Sequence, residues 1–130
     1  VVCSVEFRHP ALTALEAMEA ALHKVAESLS LRGVAAVVER IFDYAPLAFD
    51  AECLARTEKA VAELGYSAKP MVSGAGHDAC YVSKIAPASM IFIPCVKGIS
   101  HNEAERILPE WSEKGANVLL HSVLAAAQEK

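Results

Sequence analysis

No apolar run in the 130-residue sequence approaches the ~20 residues needed to cross a bilayer. Val1 to Arg8 alternate in polarity and so do not form the apolar core of a signal peptide. A soluble, cytoplasmic protein is the expectation. Clusters of lysine or arginine are also missing, and the formal net charge is -4. That balance offers little attraction for nucleic acid or an anionic membrane, so neither is expected as a partner. The four cysteines, Cys3, Cys53, Cys80 and Cys95, contain no CxxC pair. Free thiols in a reducing compartment are therefore expected, and no disulfide framework. There is no initiator methionine, and the chain opens directly inside a strand-like pattern, as if cut from something longer. What is present, 54% hydrophobic and 22% charged residues, suffices for a globular core and argues against disorder.

Cys3, Val5 and Phe7 alternate with Ser4, Glu6 and Arg8, the period of a strand with one buried face. Arg8 leaves the polar side at the end of that strand. Pro10 opens a helix, Thr13 and Glu16 have capping-box spacing, and Leu15, Met18, Leu22, Val25 and Leu29 repeat at three and four residues. Gly33 stops this helix, and Val34, Val37, Val38 and Ile41 read as a second strand ending near Pro46. Asp50 caps a further helix that Gly65 closes, and this helix begins a different packing unit. After Met71 and Val72 comes Ser73-Gly74-Ala75-Gly76-His77-Asp78, with a short helix from about Ala79 to Ile85. Met90 to Ile93 form a buried-strand run, Pro94 to Asn102 a polar loop, and residues from about Pro109 onward a terminal amphipathic helix.

Two loops carry candidate chemistry. In Ser73 to Ala79, glycines free the backbone to adopt unusual dihedrals and to approach a ligand. His77 stands beside those amides and can donate to developing negative charge, with Asp78 able to set its tautomer. The plainer reading is a turn with a solvated histidine. In Gly98 to Glu105, His101 follows a buried strand, the kind of place where zinc, manganese or nickel ligands are mounted. The plainer reading there is a surface loop in which Asn102 caps a helix favoured by Glu103 and Glu105. A zinc site made from His77, Cys80, Cys95 and His101 matches no familiar spacing. Cys80 and Cys95 lie in apolar sequence where inert thiols are commoner than nucleophiles. His9, His23 and His121 are given no role.

At these residues the sequence resembles the hydantoinase/carbamoylase branch of the zinc-peptidase superfamily, which includes N-carbamoyl-L-amino acid hydrolases, β-ureidopropionases and allantoate amidohydrolases. The resemblance runs over nearly the whole chain. Its carriers are the strand ending Phe7-Arg8-His9-Pro10, the SGAGHDA of Ser73 to Ala79, and Met90-Ile91-Phe92 with Pro94 followed by Gly98-Ile99-Ser100-His101-Asn102. Glu6 stands where that family commonly has aspartate. The resemblance implies that His101 is a ligand of a binuclear centre, usually zinc or manganese, with nickel or cobalt as further choices. It implies that Arg8 and Gly76 bind the substrate carboxylate. His77 would contact the substrate and stabilise the tetrahedral intermediate of C–N bond hydrolysis. The other metal ligands and the general base of such enzymes have no HxD or paired-glutamate motif in this sequence.

The expected fold class is therefore α/β. Residues 1–48 would be the second half of a lid or dimerisation domain, and residues 49–130 the closing part of a catalytic domain. The expected activity is metal-dependent hydrolysis of a linear amide or carbamoyl bond in a small carboxylate-bearing substrate, with the 130 residues inactive alone. A homodimer joined through the lid unit is the expected assembly. Both imidazoles should converge on one cleft, with the guanidinium facing that cleft in the same or a partner subunit. The alternative is a non-catalytic dimerisation or interaction module derived from such an enzyme.

Overall fold

The computed structural model describes residues 1–128. Its elements are α1 (Leu12–Leu31), α2 (Ala51–Glu63), α3 (Ala79–Val82), a 3-10 turn at Val96–Gly98 and α4 (Pro109–Gln128). Two compact units are present: Val1–Ala48 with Val72–Ala75, and Phe49–Met71 with Gly76–Lys130. No strand occurs among the described residues, so the α/β expectation is not met in the chain itself. The reason is pairing, since an extended segment becomes a strand only when a neighbour completes its ladder of hydrogen bonds. Residues 1–9, 34–47 and 90–93 form neither helix nor strand, and no sheet ladder of backbone hydrogen bonds joins them to a neighbour among the described residues.

In the first unit, α1 half-buries Leu15, Met18, Leu22 and Leu29 as their spacing requires, whereas Val25 stays exposed. The capping-box expectation fails. The N-cap is Ala11, without a side-chain hydrogen bond, because the helix begins at Leu12 and so takes Thr13 into its first turn. At the other end Gly33, at φ 79°, donates to Ser30, the left-handed stop that glycine takes without strain. Arg40 ties the extended segment after α1 back to that helix through Glu19 and also holds Asp43 at 3.0 Å.

The second unit is organised around the packing of α2 on α4. Asp50 caps α2 by accepting the Cys53 amide at 2.8 Å, and this bond holds its carboxyl below the usual carboxylate range. Glu52 sits in the first turn, where the helix dipole favours an anion. Pro109 starts α4, where a missing N–H costs nothing. Ala60 of α2 and Val118 of α4 form the buried centre, 3% and 4% exposed. Asn117 of α4 donates to the Tyr66 hydroxyl at 3.3 Å, fastening the turn after α2 to the same contact. The Asp50 amide donates to Ala88 at 3.0 Å and brings the approach to residues 90–93 against the start of α2.

Gly115 shows how closely these pieces sit, because a Cβ added there would lie 2.5 Å from Ile93 Cγ2. Alanine would gain about 1 kcal/mol over glycine within a helix, while overpacking costs about 1–3 kcal/mol. Isoleucine is stiff at χ1, so it cannot swing clear. Gly115→Ala should therefore leave the chain no more stable, and in most outcomes less stable, by urea denaturation. In an Ile93→Ala background the same change should stabilise by about 1 kcal/mol. A full stabilisation in the parent chain would show that this contact is absent.

Candidate active site

Arg8 lies in the first unit on an opening segment whose residues, apolar and polar alike, are exposed. Its Nε donates to Glu6 at 2.6 Å and its Nη1 donates to the Gly74 carbonyl. The glutamate thus pairs with Arg8, which holds the Glu6 carboxyl below its usual range. The pair is largely exposed, so its worth lies in aiming the guanidinium and not in stability. The Nη2 edge has no partner among the described residues and remains open to an anion.

In the second unit His77 leads into α3. Its Nδ1 accepts the Ala79 amide at 3.0 Å, while its carbonyl accepts the Cys80 amide at 2.9 Å. The Ala79 amide, not Asp78, therefore fixes the tautomer: a ring whose Nδ1 accepts carries its proton on Nε2 when neutral. Asp78 makes no side-chain capping bond. Gly74 and Gly76 do not adopt positive φ, so the expectation of unusual dihedrals fails at these positions. Both have open space where a Cβ would stand. Their contribution is clearance, and the Gly76 amide donates to no group among the described residues.

An open groove of about 620 Å³ in the second unit takes His77 into its lining, together with Met90 and Ile93 of the extended run and Leu119 of α4. It also takes Cys53, Arg56 and Thr57 from α2, which no motif had singled out. Their spacing does place them on one helical face. The Arg56 side chain is only 21% exposed and pairs with Glu52 at 3.2 Å.

His101 does not line this groove. His77 and His101, both in the second unit, are thus not brought together in this groove. His101 sits at φ 54° on the loop after residues 90–93, and its amide donates to Glu105 Oε2 at 2.7 Å. Its ring is exposed and makes no hydrogen bond among the described residues. No helix follows Asn102, contrary to the capping expectation. Asn102 instead turns the chain by accepting the Ala104 amide at 2.9 Å, and the helix waits until Pro109. The open imidazole fits one coordination position of a divalent cation. No group of three or more His, Cys, Asp or Glu that could hold a metal stands together among the described residues. Among the described residues no metal centre is therefore assembled around His101.

The cysteines are unpaired. Burial first, then hydrogen bonding to Asp50, pushes the Cys53 thiol up. Cys95 is likewise raised by burial and then by Glu105. Neither is poised as a thiolate.

Comparison with known proteins places these features in context. Residues 5–125 match Peptidase family M20/M25/M40. An N-carbamoyl-L-amino-acid amidohydrolase from Rhizobium meliloti is 43% identical over 98% of this chain and 31% of its own length. An allantoate amidohydrolase from Bacillus subtilis is 31% identical over 89% of this chain and 28% of its own length. Among solved structures, a hydantoinase/carbamoylase family amidase from Burkholderia vietnamiensis superposes with a TM-score of 0.80 at 49% identity. That match covers 93% of this chain and 30% of the solved one. This chain thus spans less than a third of the relatives it matches.

The thiol environments predict that iodoacetamide at neutral pH will modify exposed Cys3 well before Cys53 or Cys95, as read by peptide mass mapping. Equal rates at Cys3 and Cys95 would contradict the half-buried, carboxylate-paired setting of Cys95.

Proposed function

The chain belongs to peptidase family M20/M25/M40, and on that premise we propose that it supplies the closing part of an amidohydrolase acting on a linear amide or carbamoyl C–N bond. The substrate is a small carboxylate-bearing molecule such as an N-carbamoyl amino acid. The observation that carries this reading is the His77 loop, in which a backbone amide holds Nδ1 and leaves Nε2–H to donate. Beside it the Gly76 amide makes no hydrogen bond among the described residues.

In this reading the substrate carboxylate is held by Arg8, in its own or a partner subunit, and by the Gly76 amide. A guanidinium fork suits a carboxylate in a way that lysine cannot reproduce. His77 Nε2–H donates to the oxygen that becomes negative as the carbonyl carbon turns tetrahedral. His101 gives one ligand to a divalent metal, zinc for preference, with manganese, nickel or cobalt as alternatives. When bound, that metal supplies an activated water and polarises the scissile carbonyl. The remaining ligands and the general base belong to polypeptide other than these 130 residues, so the chain alone is inactive.

The exposure of apolar side chains supports the same reading. Val37 is 93% exposed, Ile41 80%, Phe42 79% and Ile85 88%, and only Ala60 and Val118 are buried hydrophobics among the described residues. So much bare apolar surface suits segments that pack against further chain. We assign residues 1–48 to the second half of a lid or dimerisation domain, and residues 49–130 to the carboxy-terminal part of a catalytic α/β domain. The site is cytoplasmic in this reading. No described helix is long and apolar enough to cross a membrane.

The test is a chimera in which this chain replaces the matching part of the Burkholderia vietnamiensis amidase. With added zinc or manganese it should sediment as a dimer and hydrolyse N-carbamoyl amino acids, while the 130 residues alone should not. His77→Ala should lower kcat by about 10²–10³. Arg8→Lys should raise KM and lower kcat/KM by about 10- to 100-fold. Turnover by the chain alone, or an Arg8→Lys variant with unchanged KM, would refute these assignments.

A further inference from the structure

The loop that presents His101 is closed at its neck by one backbone bond, from the Val96 amide to the Arg106 carbonyl at 2.8 Å. Between those feet the chain turns twice through the left-handed region, at Lys97 and Gly98 (φ 59° and 69°) and again at His101 (φ 54°). Glycine accepts such a dihedral freely, but histidine does not unless its surroundings hold it there. The holding group is the Glu105 carboxylate. One oxygen, Oε2, accepts the His101 amide at 2.7 Å, and the other, Oε1, accepts the Cys95 thiol at 3.6 Å. A single side chain thus bridges a foot of the loop and its tip. The Glu105 amide is in turn fixed by the Asn102 carbonyl at 2.9 Å.

We infer that Glu105 is a positioning residue for His101: by holding the His101 amide and the Cys95 thiol at once, it sets the direction in which the imidazole leaves the loop. This rests on the reading of His101 as a metal ligand. Glu105 is not itself assigned as a ligand, because both of its oxygens already accept from donors of the loop. Glutamine keeps one carbonyl oxygen for the His101 amide and can turn its NH2 to the Cys95 sulfur, a weak acceptor, so it should replace glutamate if the charge does not matter.

The experiment measures zinc, not turnover, in the chimera carrying this chain. Zinc affinity is read by chelator competition, and bound zinc by elemental analysis after gel filtration. Glu105→Ala should weaken zinc binding by about 10-fold or more, the effect of losing outer-shell support. Glu105→Gln should keep the parent's affinity, and His101→Ala should lose zinc altogether. In the 130-residue chain, Glu105→Ala should also speed hydrogen exchange at the His101 amide, whereas Glu105→Gln should not. If His101→Ala abolishes zinc binding and Glu105→Ala leaves it unchanged, the positioning role fails while His101 stands as a ligand. Should Glu105→Gln fall with Glu105→Ala, the carboxylate charge is what acts and the inference is overturned. Zinc retained by His101→Ala removes the premise and the inference together. If Glu105→Ala does not fold, Glu105→Asp, whose shorter arm withdraws the acceptor, takes its place under the same criteria.

Discussion

The second unit depends on the close approach of α4 to α2 and to the extended run at residues 90–93. Ala60 and Val118 are small enough to let the helices meet, and Gly115 leaves room for Ile93. Everything that bears on chemistry in this unit hangs from the ends of those three pieces. The His77 turn precedes residues 90–93, and the His101 loop follows them. The groove beside His77 exists because α2 and α4 are held together on one side of it.

Each loop is stiffened by local bonds and not by burial. His77 is oriented by the Ala79 amide, and His101 by the Glu105 carboxylate. Arg8 is aimed by Glu6 and by the Gly74 carbonyl. All three side chains are exposed, so none is held by surrounding core. Hydrogen bonds between near neighbours can fix a backbone before the rest of a site is assembled.

Much of the helical framework was legible because its signals are local. Asp50 as a cap, Gly33 and Gly65 as left-handed stops, and Pro109 as a helix start all follow from the dihedrals and hydrogen bonds of a few consecutive residues. The failures have equally local explanations. Thr13 with Glu16 has the spacing of a capping box, but the helix begins at Leu12 and Ala11 takes the cap position. Asn102 offered a cap, but its side chain closes a turn onto Ala104 instead. The strands over the first eight residues, from Val34 to near Pro46 and from Met90 to Ile93 rest on alternation, β-branched residues or an apolar run. Such patterns show which face would be buried, not whether a partner is present to pair with.

The sequence by itself determined the family, the helices and the identity of the candidate groups Arg8, Gly76, His77 and His101, because motif residues and periodicity are written along the chain. Only the tertiary structure decided that Arg56 and Thr57 share the groove with His77, that His101 stays outside it, and that Glu105 grips the His101 backbone. Those facts depend on distances between residues remote in sequence, or on the dihedral at one position. Both are set by packing and hydrogen-bond competition, which no spacing along the chain encodes.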